Sequence, residues 1–386
     1  MRIFILSPSY PDAEAPYLNI FVYEQARELA NLGHEIVVLH VKRLPTRRIF
    51  SKADDRIKQY NDGFATRFCV DQKTFAETRF PLLNKNAFIK SAMRLYQYAE
   101  KEAGKPDVIY AHFSCWAGYA ACVLSQRYHI PVVTLEHYSG FIAKEKISKT
   151  LRDCAEYTIK HSAYFLCVSE GLRRAILKNV NTKKDINVVP NMISREFKYV
   201  KPEQHEGFTF LAIGRLTPAK NYRTLLDAFM TAFKSSDPVF LRIGGGGPER
   251  RQLEKYVEQQ KRTDQIKFLG ALNRDDTVLE YGRCDCFALS SAWETYGMVY
   301  REALATGRPI ITTDHGGFSG NDWKDEYGYK VPVRDVKAFA RAMRNMVTNI
   351  DKFDGKKISE ECLKNCSPDI IANKIEFYLR EAFDQK

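Results

Sequence analysis

The chain has 386 residues, 45% hydrophobic and 27% charged, the balance of a soluble globular protein long enough for two cores. No stretch is long and apolar enough to span a bilayer, and the run Met1 to Leu6 stops at Ser7-Pro8, too early for a signal h-region; a cytoplasmic or peripheral protein is expected. Nine cysteines without paired CxxC spacing read as reduced thiols, neither a disulfide scaffold nor a zinc site, while the net charge of +12 suits a polyanionic partner.

In the first half, short β-branched runs at 2–6, 35–41, 108–111, 132–135, 164–168 and 187–189 alternate with amphipathic segments. The segment 21–32 is typical, with apolar positions 21, 22, 26, 29 and 30 and a stop at Gly33-His34. This alternation is the mark of βαβ units around a parallel sheet. A polar, irregular stretch from Pro190-Asn191 to Gly207 is the candidate linker. The alternation then restarts at 208–213, 239–243, 266–269, 286–289, 309–312 and 328–331. The expected fold is α/β, two tandem Rossmann-like doubly wound domains facing a cleft. The expected boundaries are 1–190, 191–368 and a terminal helix in 369–386 that packs back on the first domain.

Residues 1–190 hold 28 Lys and Arg against 19 Asp and Glu, whereas 191–386 hold 31 against 28. The basic excess gathers at Lys42, Arg43, Arg47, Arg48, Lys52, Arg56 and Lys58, again from Lys85 to Arg94, and from Lys144 to Arg152. Such a face suits anionic lipid headgroups or an anionic acceptor, or is simply solvated. No motif that reads nucleic acid accompanies it, so no nucleic-acid partner is expected.

In open parallel sheets ligands bind beyond the carboxyl ends of the strands. After 208–213 comes Gly214-Arg215-Leu-Thr-Pro-Ala-Lys220: a glycine that admits a ligand, then two cations suited to a diphosphate, unless both are surface charges of a turn. After 239–243 comes a run of four glycines, Gly244 to Gly247, which lacks the GK[ST] of a P-loop and is not GxGxxG. After 286–289 comes Ser290-Ser-Ala-Trp-Glu294-Thr-Tyr-Gly-Met-Val-Tyr-Arg-Glu302. A helix starting near Gly297 leaves Glu294 on the loop and carries Glu302 well inside, with the amides of Tyr296, Gly297 and Met298 free for a phosphate. The alternative is an ordinary exposed helix with two unrelated glutamates. His315 follows the strand 309–312 and is either a ligand contact or a solvated loop histidine.

The ordered set GRLTPAK, IGGGGPE, FLGAL and ETYGMVYREALATGRPI resembles glycosyltransferase family 4, retaining enzymes of the GT-B fold. The resemblance covers nearly the whole chain, with Val188-Val-Pro-Asn191 similar to the family's hinge motif. It implies a nucleotide-diphosphate sugar, UDP- or GDP-linked, in the C-terminal domain. Arg215 and Lys220 would hold the diphosphate, Glu294 the donor sugar and Glu302 the ribose, with Gly214 and Gly246 also on the donor and the backbone of Tyr296, Gly297, Met298 and Val299 on the distal phosphate and sugar. His137, after the strand 132–135, matches the family's active-site histidine; read without the family, Glu136-His137 is equally a structural polar pair. With Asn19 the two form the acceptor side, although Pro16-Tyr-Leu-Asn19-Ile-Phe21 lacks the glycine pair common in the family. The implied catalytic set is His137, Glu294, Arg215 and Lys220.

The chain contains no Asp-x-Asp. A metal-free site with no other cofactor is therefore expected, in which Arg215, Lys220 and helix-end amides stabilise the leaving diphosphate. The leading reading is a glycosyltransferase that extends a glycan or polyprenyl-linked acceptor for a surface polysaccharide, peripheral on the inner face of an anionic membrane. The competing readings are a sugar-nucleotide epimerase, a sucrose-type synthase or other soluble-acceptor transferase, and a non-catalytic nucleotide-sugar-binding scaffold.

Overall fold

The computed structural model describes residues 1–45, 56–75, 81–143, 147–318 and 322–385. Of the basic positions, Arg47, Arg48, Lys52 and Lys144 lie outside the described residues. The chain divides into two units, Met1–Met192 with Pro368–Lys386, and Ile193–Ser367.

The first unit carries eight strands: β1 (Arg2–Ser7), β2 (Glu35–Pro45), β3 (Lys58–Asn61), β4 (Ala65–Thr74), β5 (Val108–His112), β6 (Val132–Glu136), β7 (Tyr164–Cys167) and β8 (Ile186–Val188). Its helices are α1 (Ile20–Asn31), α2 (Pro81–Ala103), α3 (Tyr119–Tyr128), α4 (Gly140–Ala143), α5 (Lys149–His161) and α6 (Glu170–Asn179). The strands form one sheet in the order β3-β4-β2-β1-β5-β6-β7-β8, parallel except for the antiparallel pair β3/β4. Strands covered by helices on both faces must be apolar throughout. Ile3 to Leu6 are accordingly all at 0% exposure, and Phe4 and Leu6 pack in one core with Val37, Leu39, Phe88 and Leu95.

The second unit carries β9 (Phe208–Ile213), α7 (Tyr222–Ala232), β10 (Val239–Gly244), α8 (Arg250–Gln259), β11 (Ile266–Gly270), α9 (Arg274–Gly282), β12 (Cys286–Leu289), α10 (Met298–Ala305), β13 (Ile310–Thr313), β14 (Gly328–Val331), α11 (Val336–Asn349) and α12 (Gly355–Cys366). Its six strands are all parallel, ordered β11-β10-β9-β12-β13-β14. The core joins Phe210 and Leu211 of β9, Leu225 and Phe229 of α7, and Phe287 of β12. The last helix, α13 (Pro368–Asp384), belongs to the first unit. Glu376 Oε1 meets His34 Nε2 at 3.0 Å, and Gln385 donates to the Tyr164 hydroxyl at 2.7 Å. Pro368 opens α13, where its missing N–H leaves nothing unsatisfied.

Two expectations are corrected. Strands β3 and β4 occupy a region for which no strand was expected. The polar stretch after Asn191 is no free linker from residue 193 onward: Phe197 is buried, and the amides of Ile193, Val200 and Glu203 donate to the carbonyls of Cys366, Thr306 and Gly282. These bonds attach it to the second unit.

Candidate active site

Each sheet reverses its winding at one point. In the second unit this lies between β9 and β12, the place where a doubly wound sheet leaves a crevice beyond its carboxyl ends. The loop after β9 bears Gly214, Arg215 and Lys220; the loop after β12 bears Ser291 and Glu294. Lys220 Nζ donates to Glu294 Oε1, which also accepts from Ser291 Oγ at 2.8 Å. The amide of Ala292 donates to the Ala219 carbonyl at 2.7 Å, so backbone as well as charge joins the two loops. Burial pushes the Glu294 carboxyl up, but the adjacent Lys220 ammonium, together with His315 and the Ser291 hydroxyl, outweighs it and holds the group below the usual carboxylate range. Arg215 is exposed, with no ion pair among the described residues.

The four-glycine run serves the same loop from behind. Gly214 and Leu216 donate their amides to the carbonyls of Gly244 and Gly246 at 3.0 and 2.9 Å. Gly245 and Gly247 have φ of +131° and +156°, and a Cβ there would stand 2.0 Å from the Gly214 oxygen and 2.3 Å from the Leu216 oxygen. These two glycines are required by loop-on-loop packing. Nothing lies within 4 Å of a Cβ built on Gly246, which leaves that position open.

Gly297 caps α10, placing Glu294 on the loop before it and Glu302 in its second turn. The amides of Tyr296, Gly297, Met298 and Val299 find no acceptor among the described residues, the arrangement that attracts anions at a helix N-terminus. The Tyr296 side chain, in contrast, is core: it is buried with the Arg301 guanidinium 3.6 Å over its ring. Glu302 is half-buried and accepts from the Tyr281 hydroxyl at 3.5 Å.

Arg301 escaped the sequence reading. Buried in α10, it donates to the carbonyls of Tyr296 and Gly317, fastening the turn before the helix to the loop after β13. His315 on that loop is buried too. Its Nδ1 accepts from the Gly317 amide at 3.0 Å, so Nε2 carries the proton, and that atom has no partner.

In the first unit the reversal lies between β1 and β5. Asn19, left-handed before α1, donates to Ser9 Oγ across the loop that follows β1. At the end of β6, Glu136 is fully buried. One carboxylate oxygen accepts from the amide and hydroxyl of Ser114, the other from the amides of His137 and Tyr138 at 2.8 Å each. All four lone-pair positions are filled. Burial raises this carboxyl, and the four donors only partly oppose it. His137 stacks on Phe21 with ring centroids 4.3 Å apart, and its Nε2 meets His112 Nδ1 at 3.0 Å. His112 is the second residue that sequence reasoning missed; its place at the end of β5 was the only signal.

Burial drives His40 and His112 down to about 3, His315 to about 4 and His137 well below its ordinary value. All four are neutral near pH 7. Because their folded values are depressed, their contribution to stability is complete above about pH 6.5 and declines as pH falls toward the folded values. Three of the four belong to the first unit, where the raised Glu136 offsets part of the loss. Urea midpoints from pH 7.5 to 5 should fall, with the first unit losing most; a flat profile would contradict the neutral assignment.

Among the described residues no group of three or more His, Cys, Asp or Glu could hold a metal ion, and no helix is long and apolar enough to cross a membrane. The model of glycosyl transferases group 1 matches residues 194–357, and that of Glycosyltransferase Family 4 matches 18–197. The glycogen synthase of Mycobacterium tuberculosis is 24% identical over 358 residues, covering 90% of this chain and 86% of that protein. The UDP-Gal:alpha-D-GlcNAc-diphosphoundecaprenol alpha-1,3-galactosyltransferase of Escherichia coli is 24% identical, covering 73% and 75%. The solved sucrose-phosphate synthase of Thermosynechococcus elongatus superposes over the full length of both chains with a TM-score of 0.80 at 17% identity. With two parallel-sheet units of this topology and matching family models over both, the chain belongs to the family 4 glycosyltransferases of the GT-B type.

Proposed function

We propose that this glycosyltransferase moves a sugar, with retention of configuration, from a UDP- or GDP-linked donor to a glycan or lipid-linked glycan acceptor in surface polysaccharide synthesis. The observation that carries the donor assignment is the Lys220–Glu294 pair at the β9/β12 reversal, with the unpaired Arg215 and the free amides at the start of α10. Arg215, Lys220 and the open backbone at Gly214 and Gly246 take the diphosphate. Glu294 takes the sugar hydroxyls, Glu302 the ribose, and the amides of Tyr296 to Val299 the distal phosphate. These groups supply the charge for the leaving diphosphate without a bound divalent cation. The first unit supplies His137, held by Glu136 and His112, and Asn19 on the acceptor side. As the acceptor oxygen bonds to the anomeric carbon, the bond from that carbon to the phosphate oxygen breaks and the departing phosphate accepts the acceptor's proton. The named donor and acceptor of the E. coli relative support a UDP-sugar and a lipid-linked glycan.

Peripheral placement on the cytoplasmic face of an anionic membrane belongs to the same reading. It rests on α2, which exposes Leu82 and Leu83 beside Lys85 and Lys90, and liposome flotation with and without anionic lipid tests it. The decisive experiment for the donor site is thermal shift with UDP, GDP and ADP. A matching nucleotide at about 100 times its Kd should add about 2.7 kcal/mol. Stabilisation by none of them, nor by their sugars, would remove the donor-site assignment. Turnover in excess EDTA and the anomeric configuration of the product by NMR test metal independence and retention.

A further inference from the structure

The first unit contains a cavity of about 630 Å³ beyond the carboxyl ends of β1, β2, β5 and β6, mid-range for a ligand pocket. Its chemistry is of two kinds. Phe113, Trp116 and Tyr138 give flat apolar surface, and Tyr138 is 41% exposed. Opposed to them in character is an ion triad of Asp12, Glu14 and Lys42. Lys42 Nζ lies 2.7 Å from Asp12 Oδ2 and 3.1 Å from Glu14 Oε2. Asp12 is built into place, because its other oxygen accepts from the amides of Glu14 and Ala15 at 2.9 and 3.0 Å. Arg43, which also lines the cavity, has a partner as well.

This charge pattern selects against one acceptor class. A phosphate monoester brings between one and two negative charges near pH 7 and needs a cation free to pair with it. Here Lys42 already faces two carboxylates, so the triad is net negative and an incoming phosphate meets repulsion from Asp12 and Glu14. Sugar hydroxyls meet the opposite situation. They donate to the unfilled lone pairs of the two carboxylates, while the C–H faces of a ring cover the aromatic surface.

Resting on the reading of the first unit as the acceptor side, we propose that this cavity receives an uncharged glycosyl unit of the acceptor, with the Asp12–Lys42–Glu14 triad excluding phosphorylated sugars. A lipid or diphosphate attached to that acceptor would then lie outside the cavity, and the transferred sugar would be added to a glycan end, not to a phosphosugar.

The test is binding of small acceptor probes to the full chain saturated with UDP, followed by saturation-transfer NMR and Trp fluorescence. The neutral probes are the methyl glycosides of glucose, galactose, mannose and N-acetylglucosamine. The charged probes are glucose 6-phosphate and fructose 6-phosphate. At least one neutral glycoside should bind about tenfold or more tightly than either phosphosugar at low salt. Asp12→Asn with Glu14→Gln frees the Lys42 cation and should reverse that preference. Glu14 is 69% exposed, so Glu14→Gln alone keeps the fold and should shift the ratio part of the way. The proposal is overturned if wild type prefers a phosphosugar, if the ratio is unchanged in both variants, or if no neutral glycoside binds up to about 50 mM. A thermal shift with UDP, GDP or ADP that persists through any of these leaves the donor site standing; the absence of a shift with all three and with their sugars removes the donor reading instead.

Discussion

Lys220→Ala should weaken UDP or GDP binding by about a hundredfold or more, whereas Glu294→Gln should leave it intact or tighter while cutting turnover by about 10²–10³. The asymmetry comes from the ion pair. The two side chains are 18% and 12% exposed, so neither charge is well solvated when its partner is removed. Without Lys220, the diphosphate loses a cation and Glu294 is left as an uncompensated carboxylate in the same loop cluster; breaking such a pair from one side costs about 3–5 kcal/mol. Without the Glu294 charge, Lys220 is released toward the phosphates, but the sugar loses its carboxylate and the reacting carbon is no longer held. The double variant should recover part of the affinity lost in Lys220→Ala, because the orphan carboxylate is gone. Calorimetry with the nucleotide and turnover at saturating donor separate the two effects. Unchanged nucleotide affinity in Lys220→Ala, or full turnover in Glu294→Gln, would place the donor site elsewhere.

The strands of both sheets were legible because buried parallel strands read as unbroken apolar runs: 208–213 in sequence is Phe208–Ile213 in the fold. Strands β3 and β4 were hidden by buried polar residues. Arg67 is 8% exposed in β4, paired with Asp62 at 3.1 Å and lying 4.2 Å over the Tyr60 ring. A neutralised guanidinium packed on an aromatic ring looks, in sequence, like surface charge. The attachment of residues 193–207 rests on backbone hydrogen bonds, which composition does not encode. At the site, strand ends could be located because the carboxyl-end rule needs only strand positions. The pairings across them could not: Lys220 and Glu294 are 74 positions apart, and His112 and His137 are 25 apart. Arg301 failed for a related reason, since a basic residue in a helix is usually solvent-facing and its contacts to Tyr296, Gly317 and Phe318 come from loops before and after α10.

Glu136→Ala should destabilise the first unit by about 3–5 kcal/mol or more, a large fraction of the roughly 5–15 kcal/mol that holds a domain together. The carboxylate receives three backbone amides and one hydroxyl, all but the Tyr138 amide fully buried, and each buried donor left unpaired costs about 1–3 kcal/mol. Glu136→Gln keeps the shape and one accepting oxygen but turns an NH₂ group toward two donors, so it should fall between alanine and wild type. Two of the four donors are the amides of His137 and Tyr138, so the same change unfastens the loop that carries His137. Its ring would still have Phe21 and His112 beside it, but no longer a fixed backbone, and turnover should fall in step with stability. Urea denaturation reads the stability, while UDP binding reports that the second unit, Ile193–Ser367, remains folded. The competing account makes Glu136 the base that takes the acceptor's proton. It requires an open lone pair, whereas all four are occupied. Glu136→Gln with wild-type stability and no turnover would favour the base and overturn the clamp; parallel losses in both variants, with nucleotide binding retained, are what a carboxylate acting through His137 produces.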